Sequence, residues 1–161
     1  MALPPPTFIE FSVGHDDDVV GAMDDLGARH GGWINLDPES DPDDDPPARR
    51  GLATLLLAGP AHDVPTCTWV AGKVGRNGVQ PDQIGIQHGA GARVLWRLRD
   101  ELGGLPEGWR LVQDHPRRGL VAEPASGDTH STVLGWLLEA GTLLSAVRLT
   151  GAWQATVHHP V

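Results

Sequence analysis

Helical and strand spacings alternate along the second half of the chain. Ala92–Leu102 places its apolar residues on one helical stripe and is followed by Gly103-Gly104, which predicts a helix that ends there. A second helix is predicted after Asp128 or Thr129, either of which can cap it. Its apolar face consists of Val133, Leu134, Leu137, Gly141 and Leu144. Short apolar or alternating runs between turn residues predict strands at Gln83–Gln87, Trp109–Gln113, Gly119–Glu123 and Trp153–Val157.

The first half follows the same plan as far as its last elements. Phe8–Val13 is predicted as a strand, and Asp16-Asp17-Asp18 supply the negative charge that a helix dipole favours at its start. The helix that follows has an apolar stripe and ends at Gly31-Gly32. No second helix is predicted in this half. Its remaining strands are predicted at Trp33–Leu36, Leu52–Ala58 and Thr66–Ala71.

Two short blocks of sequence occur twice. Gly32-Trp33 recurs as Gly108-Trp109, and Arg49-Arg50-Gly51-Leu52 recurs as Arg117-Arg118-Gly119-Leu120, with eight more residues between the blocks in the first copy. A repeat of this kind predicts two copies of one structural unit.

The order β-α-β-β-α-β predicted for the second half is that of a ferredoxin-like unit. We therefore predict an α+β protein built as a tandem duplication of a ferredoxin-like βαββ(α)β unit, with residues 1–80 as the first repeat (βαβββ) and 81–161 as the second. Leu52–Leu57 is apolar at odd-numbered and even-numbered positions alike, which indicates a strand whose two faces are both covered. Two antiparallel sheets packed on each other as an α+β barrel within the chain would supply that cover. One continuous eight-stranded sheet is the alternative.

Composition and charge exclude several classes of function. The net charge of −9 argues against binding to nucleic acid or to an anionic membrane surface, since both depend on basic charge. No apolar run approaches the ~20 residues that span a bilayer, and the first residues do not resemble a secretion signal. A single cysteine, Cys67, suits a reducing compartment, so we expect a cytoplasmic protein. One Lys against eleven Arg, with abundant Ala, Gly and Pro, indicates a GC-rich, bacterial genome.

Candidate binding residues gather at one end of the predicted second repeat, because this topology brings its β1–α1 junction, its hairpin turn and its last loop together. Glycines at a helix start can present N–H groups to an anion, and arginines can bind a carboxylate or phosphate through forked donors. The predicted ligand-binding residues are His88, Gly89, Gly91, His115, Arg117, Arg118 and Arg148. The alternative is that the glycines only shape a turn and that the arginines are solvated.

Other candidate sites are weaker. The acidic, proline-rich insertion at 37–47 is expected to be a solvated loop, since it lacks the glycine and terminal glutamate of an EF-hand. The histidines lack metal-ligand spacing, with His130 standing alone, so no metal is predicted. Cys67 is expected to be an inert buried thiol. Trp33 and Trp109 are expected to be core anchors, whereas Trp96 and Trp136 lie off the apolar stripes of their helices.

These observations predict a small cytoplasmic binding domain that recognises an anionic small molecule or a protein partner. The main alternative is a small cofactor-independent enzyme, in which His88 or His115 performs acid/base chemistry in a cavity between the two sheets and Arg118 holds a substrate carboxylate. A third hypothesis is an adaptor that binds protein through Trp96 and Trp136. No cofactor is predicted, the sequence does not identify the catalytic residues that an enzyme would need, and a homo-oligomer is compatible with the sequence.

Overall fold

A computed structural model describes residues 4–43, 64–88 and 92–160 of the chain. The described residues form an α+β fold with three helices: α1 (Asp17–Ala28), α2 (Val94–Leu102) and α3 (His130–Leu144). The strands are β1 (Thr7–Ser12), β2 (Trp33–Ser40), β3 (Thr66–Val70), β4 (Lys73–Gly75), β5 (Gly78–Gln80), β6 (Gln83–Gln87), β7 (Arg110–His115), β8 (Gly119–Glu123) and β9 (Leu149–His158). The predicted strand at Leu52–Ala58 lies outside the described residues.

The three predicted helices are present, and α3 matches its prediction most closely. Thr129 is its N-cap, and the Thr129 hydroxyl accepts a hydrogen bond from the Thr132 N–H at 3.2 Å. This bond satisfies one of the N–H groups that a helix start leaves without an intrahelical partner. The predicted apolar face of α3 is buried along its whole length.

Seven of the described strands form one continuous antiparallel sheet in the order β1-β9-β2-β3-β6-β8-β7. The described residues therefore adopt the single-sheet alternative and not two sheets packed as an α+β barrel. The physical reason is visible in the strands, because alternate residues on the sheet face away from the helices are mostly polar and offer little surface for a second sheet. They are Asn35, Thr66, Thr68, Gln83, Gln87, Gln154 and Thr156. The short β4–β5 hairpin, which was not predicted, is exposed at every position.

The last strand occupies a place that the predicted duplication does not give it. A complete ferredoxin-like second repeat would place β9 beside β6. Instead β9 lies between β1 and β2 and is antiparallel to both. β1 and β2 are therefore parallel to each other, with α1 connecting them and β9 lying between them. β6 and β7 have the same arrangement, with α2 connecting them and β8 lying between them. Strands from both halves of the chain therefore lie in one sheet, and the predicted tandem ferredoxin-like duplication is not confirmed.

One hydrophobic core fills the space between the helices and one face of the sheet. α3 packs against both α1 and α2, and it also contacts β3 and β6 beneath it. Ile34 and Leu36 point into this core, so the two-residue period of a strand turns Trp33 to the opposite face. There Trp33 stacks on His158 with the ring centroids 4.4 Å apart, which corrects its prediction as a core anchor. Trp109 is buried as predicted, and Trp136 packs against it.

The predicted acidic loop begins later than its composition indicates. β2 continues through Asp37 to Ser40 because the long strand β9 offers backbone partners beyond the buried part of the sheet. The pairing shifts register between Pro38 and Ser40, which accommodates the proline. Residues 44–47 of the insertion lie outside the described part of the chain.

Candidate functional site

The predicted arginines of the second half lie on an ordered turn between β7 and β8. The His115 imidazole shapes this turn, because its Nδ1 accepts hydrogen bonds from the N–H groups of Arg117 at 3.1 Å and Arg118 at 3.3 Å. Both arginines are exposed. Gly119, which ends the turn, has a φ of 80°, and a Cβ there would collide with the carbonyl oxygen of Ile86. The glycine of the repeated Arg-Arg-Gly-Leu block is thus required by geometry.

The start of α2, which was predicted to bind an anion, binds a carboxylate group of the same chain. The carboxylate of Asp114 accepts hydrogen bonds from the N–H groups of Val94 at 2.9 Å and Leu95 at 3.2 Å. Arg93, the N-cap residue of α2, has no acceptor side chain, so the carboxylate from the neighbouring strand takes over the capping role. Among the described residues, these N–H groups are therefore occupied. Gly89 and Gly91 lie outside the described residues.

His88 follows β6 and is buried, with 9% of its surface exposed. Burial lowers the pKa of His88 below its usual 6.5, since the charged imidazolium loses solvation, while a hydrogen bond with the backbone of Ala92 acts in the opposite direction. Arg97 and Asp114 are close enough to influence its charge. The structure thus places His88 beside the capped start of α2.

Arg148 does not join the other predicted residues. It precedes β9, and its carbonyl oxygen accepts a hydrogen bond from the Asp41 N–H at 2.8 Å. Three strand spacings, or about 14 Å, separate β9 from β6 in the sheet. This separation arises because β9 lies between β1 and β2, whereas the predicted strand order would have placed β9 beside β6.

A different feature of the described residues has the form of a binding site. A pocket of about 570 Å³ lies between the β1–α1 junction, the outer side of α3 and the start of β9. Its lining residues are Val13, Gly14, Asp16, Ser131, Gly135, Leu138, Glu139, Thr142, Leu143, Leu149, Gly151 and Trp153. None of the predicted binding residues that the structure describes is among them.

Three glycines keep this pocket open. A Cβ added to Gly14, Gly135 or Gly151 would meet no atom within 4 Å. Gly14 and Gly151 have positive φ values of 85° and 90°, which the turns at these positions require, whereas Gly135 has no such backbone constraint. The three glycines were visible in the sequence, but they come from segments that only the fold brings together.

The residues that line the pocket are mostly apolar or small, with two acidic residues and two hydroxyl-bearing residues among them. Leu138, Leu149 and the buried indole of Trp153 supply apolar surface. The carboxylates belong to Asp16 and Glu139, and no lysine, arginine or histidine is among the described residues that line the pocket. Neither carboxylate forms an ion pair with a described residue.

A charged cluster joins α1, α3 and the segment before β6. His130 Nδ1 lies 2.6 Å from Asp24 Oδ1, and His130 Nε2 lies 3.2 Å from Asp82 Oδ2. The hydrogen bond to Asp82 raises the pKa of His130 above 6.5, against the effect of burial, and Asp24 raises it further. Burial alone would raise the pKa of Asp82, but the hydrogen bonds from His130 and from the Gly72 N–H outweigh it and lower that pKa. Sequence reasoning missed this cluster, because both aspartates are remote from His130 along the chain.

The remaining groups considered in the sequence analysis are Cys67, the possible metal ligands, Trp96 and Trp136. Burial, with a smaller contribution from Asp37, raises the pKa of the Cys67 thiol to about 12, which agrees with an inert buried cysteine. The described residues contain no group of three or more His, Cys, Asp or Glu side chains arranged to hold a metal ion. No helix in the described ranges is long and apolar enough to cross a bilayer. Trp96 is 67% exposed on α2, and Trp136 covers the core beside Trp109.

No protein-family model, curated protein or solved structure matches this chain.

Proposed function

We propose that this protein is a small cytoplasmic binding domain whose ligand occupies the pocket between the β1–α1 junction, α3 and the start of β9. The observation that carries the proposal is the pocket itself. Its volume of about 570 Å³ lies within the ~300–1,000 Å³ typical of small-molecule sites, and its wall combines apolar surface with a few polar groups. The cytoplasmic location rests on the single, buried cysteine.

The shape of the pocket favours an elongated ligand with an apolar body. Its lining residues on α3 extend from Ser131 to Leu143, which spans about 18 Å along a helix axis. Leu138, Leu149 and Trp153 offer apolar contacts to such a ligand. Burial of each methylene group contributes about 0.8 kcal/mol, so a chain of several carbons can bind without a covalent or metal contact.

The experiment uses 1-octanol as the probe and thermal unfolding as the measurement. At ten times its Kd, octanol should stabilise the protein by about 1.4 kcal/mol, which raises the Tm by roughly 3–6 °C for a chain of this size. Gly135→Leu should abolish this shift, because the new side chain enters the open pocket without a backbone clash.

Gly21→Leu is the matched control. Gly21 lies in α1 outside the pocket, and a Cβ there also meets nothing within 4 Å. This variant should keep the full response to octanol. A wild-type protein that does not respond, or a shift that survives Gly135→Leu, would refute the proposal.

A second candidate function is recognition of an anionic molecule or protein partner by the turn between β7 and β8. The observation in its favour is that Arg117 and Arg118 are adjacent and exposed on a turn that His115 holds in shape. Citrate should then raise the Tm, Arg118→Ala should remove the shift, and Arg76→Ala, in the exposed hairpin, should not. An equal response of both variants would exclude this turn as the site.

We propose binding in preference to catalysis because neither predicted acid/base residue lines the pocket. His88 is buried beside α2, and Nδ1 of His115 is used in the turn. The presence of two β-α-β units, each with a further strand between its two parallel strands, favours an origin by duplication. The strand between β6 and β7 is β8, from the same half of the chain, whereas the strand between β1 and β2 is β9, from the other half.

A further inference from the structure

The two carboxylates of the pocket have no structural task among the described residues. Asp16 is the N-cap residue of α1, yet its side chain makes no capping hydrogen bond; its backbone carbonyl accepts the N–H groups of Val19 and Val20 instead. Glu139 lies on the outer side of α3, one helical turn after Gly135, and forms no ion pair with a described residue.

The position of these carboxylates gives the pocket an electrostatic sign. Asp16 precedes α1 and Glu139 belongs to α3, so acidic residues from two separate elements line the same space. The start of α1 adds Asp17 and Asp18 in its first turn, and the whole chain carries a net charge of −9. No basic side chain of the described lining residues compensates this charge.

Resting on the proposed function, we propose that the ligand is an organic cation: an alkylammonium compound whose apolar chain lies along α3 and whose ammonium group lies between the carboxylates of Asp16 and Glu139. An ammonium group supplies three donors to carboxylate acceptors, and its alkyl chain matches the apolar wall formed by Leu138 and Leu149. An anionic ligand in the same pocket would meet two like charges, with no basic side chain among the described lining residues to compensate them.

The experiment compares three probes that share an eight-carbon chain and differ in charge: octylamine, 1-octanol and octanoate. Binding is measured by calorimetry at pH 7 and constant ionic strength. Partly exposed ion pairs contribute up to a few-fold in affinity each, so octylamine should bind about tenfold more tightly than octanol, and octanoate more weakly than octanol. Added salt should reduce the preference for octylamine and leave octanol binding nearly unchanged.

The double variant Asp16→Asn/Glu139→Gln isolates the two carboxylates. Asparagine is an equally good N-cap residue, so α1 should be preserved. In this variant the affinity for octylamine should fall to that for octanol, while the affinity for octanol stays the same. Asp25→Asn/Glu101→Gln changes the net charge equally at exposed positions outside the pocket and should retain the tenfold preference.

The outcomes separate this inference from the proposed function. Equal binding of octanol and octylamine, or tighter binding of octanoate, would leave the pocket as the ligand site and overturn its cation preference. A preference for octylamine that persists in Asp16→Asn/Glu139→Gln would also overturn it, since general attraction to an acidic protein would then suffice. If none of the three probes binds, the proposed function itself fails and this inference fails with it.

Discussion

Two glycines of α3 experience opposite environments, and replacing each with alanine gives a direct test of the packing. At Gly135, a new Cβ would meet nothing within 4 Å. At Gly141, it would lie 2.8 Å from Cη2 of Trp153 and 3.0 Å from Sγ of Cys67. Both neighbours are buried, with 2% and 0% of their surfaces exposed, so surrounding residues pack against each of them.

The difference between the two variants follows from this geometry. Alanine is favoured over glycine inside a helix by about 0.8–1.0 kcal/mol, and this gain is the same at both positions. Overpacking of a buried site costs about 1–3 kcal/mol. Gly135→Ala should therefore stabilise the protein by about 1 kcal/mol, while Gly141→Ala should destabilise it by about 1 kcal/mol. This difference of roughly 2 kcal/mol separates their Tm values by about 4–8 °C for a chain of this size.

Thermal and urea unfolding, followed by circular dichroism, measure this difference. A third variant tests the mechanism, because Trp153→Phe removes the ring atom closest to the new methyl group. In that background, Gly141→Ala should lose part of its cost, which appears as a coupling energy in the double-mutant cycle, while the contact with Sγ of Cys67 remains. If Gly141→Ala and Gly135→Ala unfold at the same temperature, the close contact of α3 with Trp153 is wrong.

Three further predictions concern charged and buried groups. Asp114→Ala should lower the free energy of unfolding by about 1 kcal/mol, because α2 loses the side-chain oxygens that cap it. Asp100→Ala, at an exposed position of α2, should not lower it in the same urea titration, and equal losses in the two variants would contradict the capping role. Because the pKa of His130 is raised in the folded protein, its contribution to stability is complete below pH 6.5 and is lost as the pH rises through the folded-state pKa. The free energy of unfolding should therefore decline between pH 5.5 and pH 9 in the wild type, and it should decline less in His130→Asn. Cys67, with a pKa near 12, should not react with a thiol reagent at pH 8 until urea unfolds the protein, and rapid labelling of the native protein would show that the thiol is accessible.

Local features of this fold were predictable from the chain. The apolar face of α3 and its cap at Thr129 follow from helical periodicity and capping chemistry, which act over a few residues. The position of β9 did not follow, because the choice between β6 and the gap between β1 and β2 depends on the packing of the whole sheet.

The candidate site was less predictable for the same reason. Asp114 directly follows the predicted strand Trp109–Gln113, and nothing in its local sequence indicates that it caps a helix that begins twenty residues earlier in the chain. His130 was interpreted as isolated, although the fold places Asp24 and Asp82 on either side of its ring. The pocket is lined by residues from three separate segments, none of which carries a recognisable motif.

The place of β9 has a consequence for the order in which the protein can fold during synthesis. Thr7 and His159, which form a hydrogen bond of 3.1 Å, are 152 residues apart in the chain. β9 is the partner that the described residues provide for β1 and for one edge of β2, so these pairings cannot form until the ribosome has translated β9. Contacts of such long range slow folding, and strands that wait with open edges are exposed to pairing with other nascent chains. Among the described strands β9 is synthesised last, and it lies between β1 and β2, so this part of the sheet cannot be completed strand by strand in chain order.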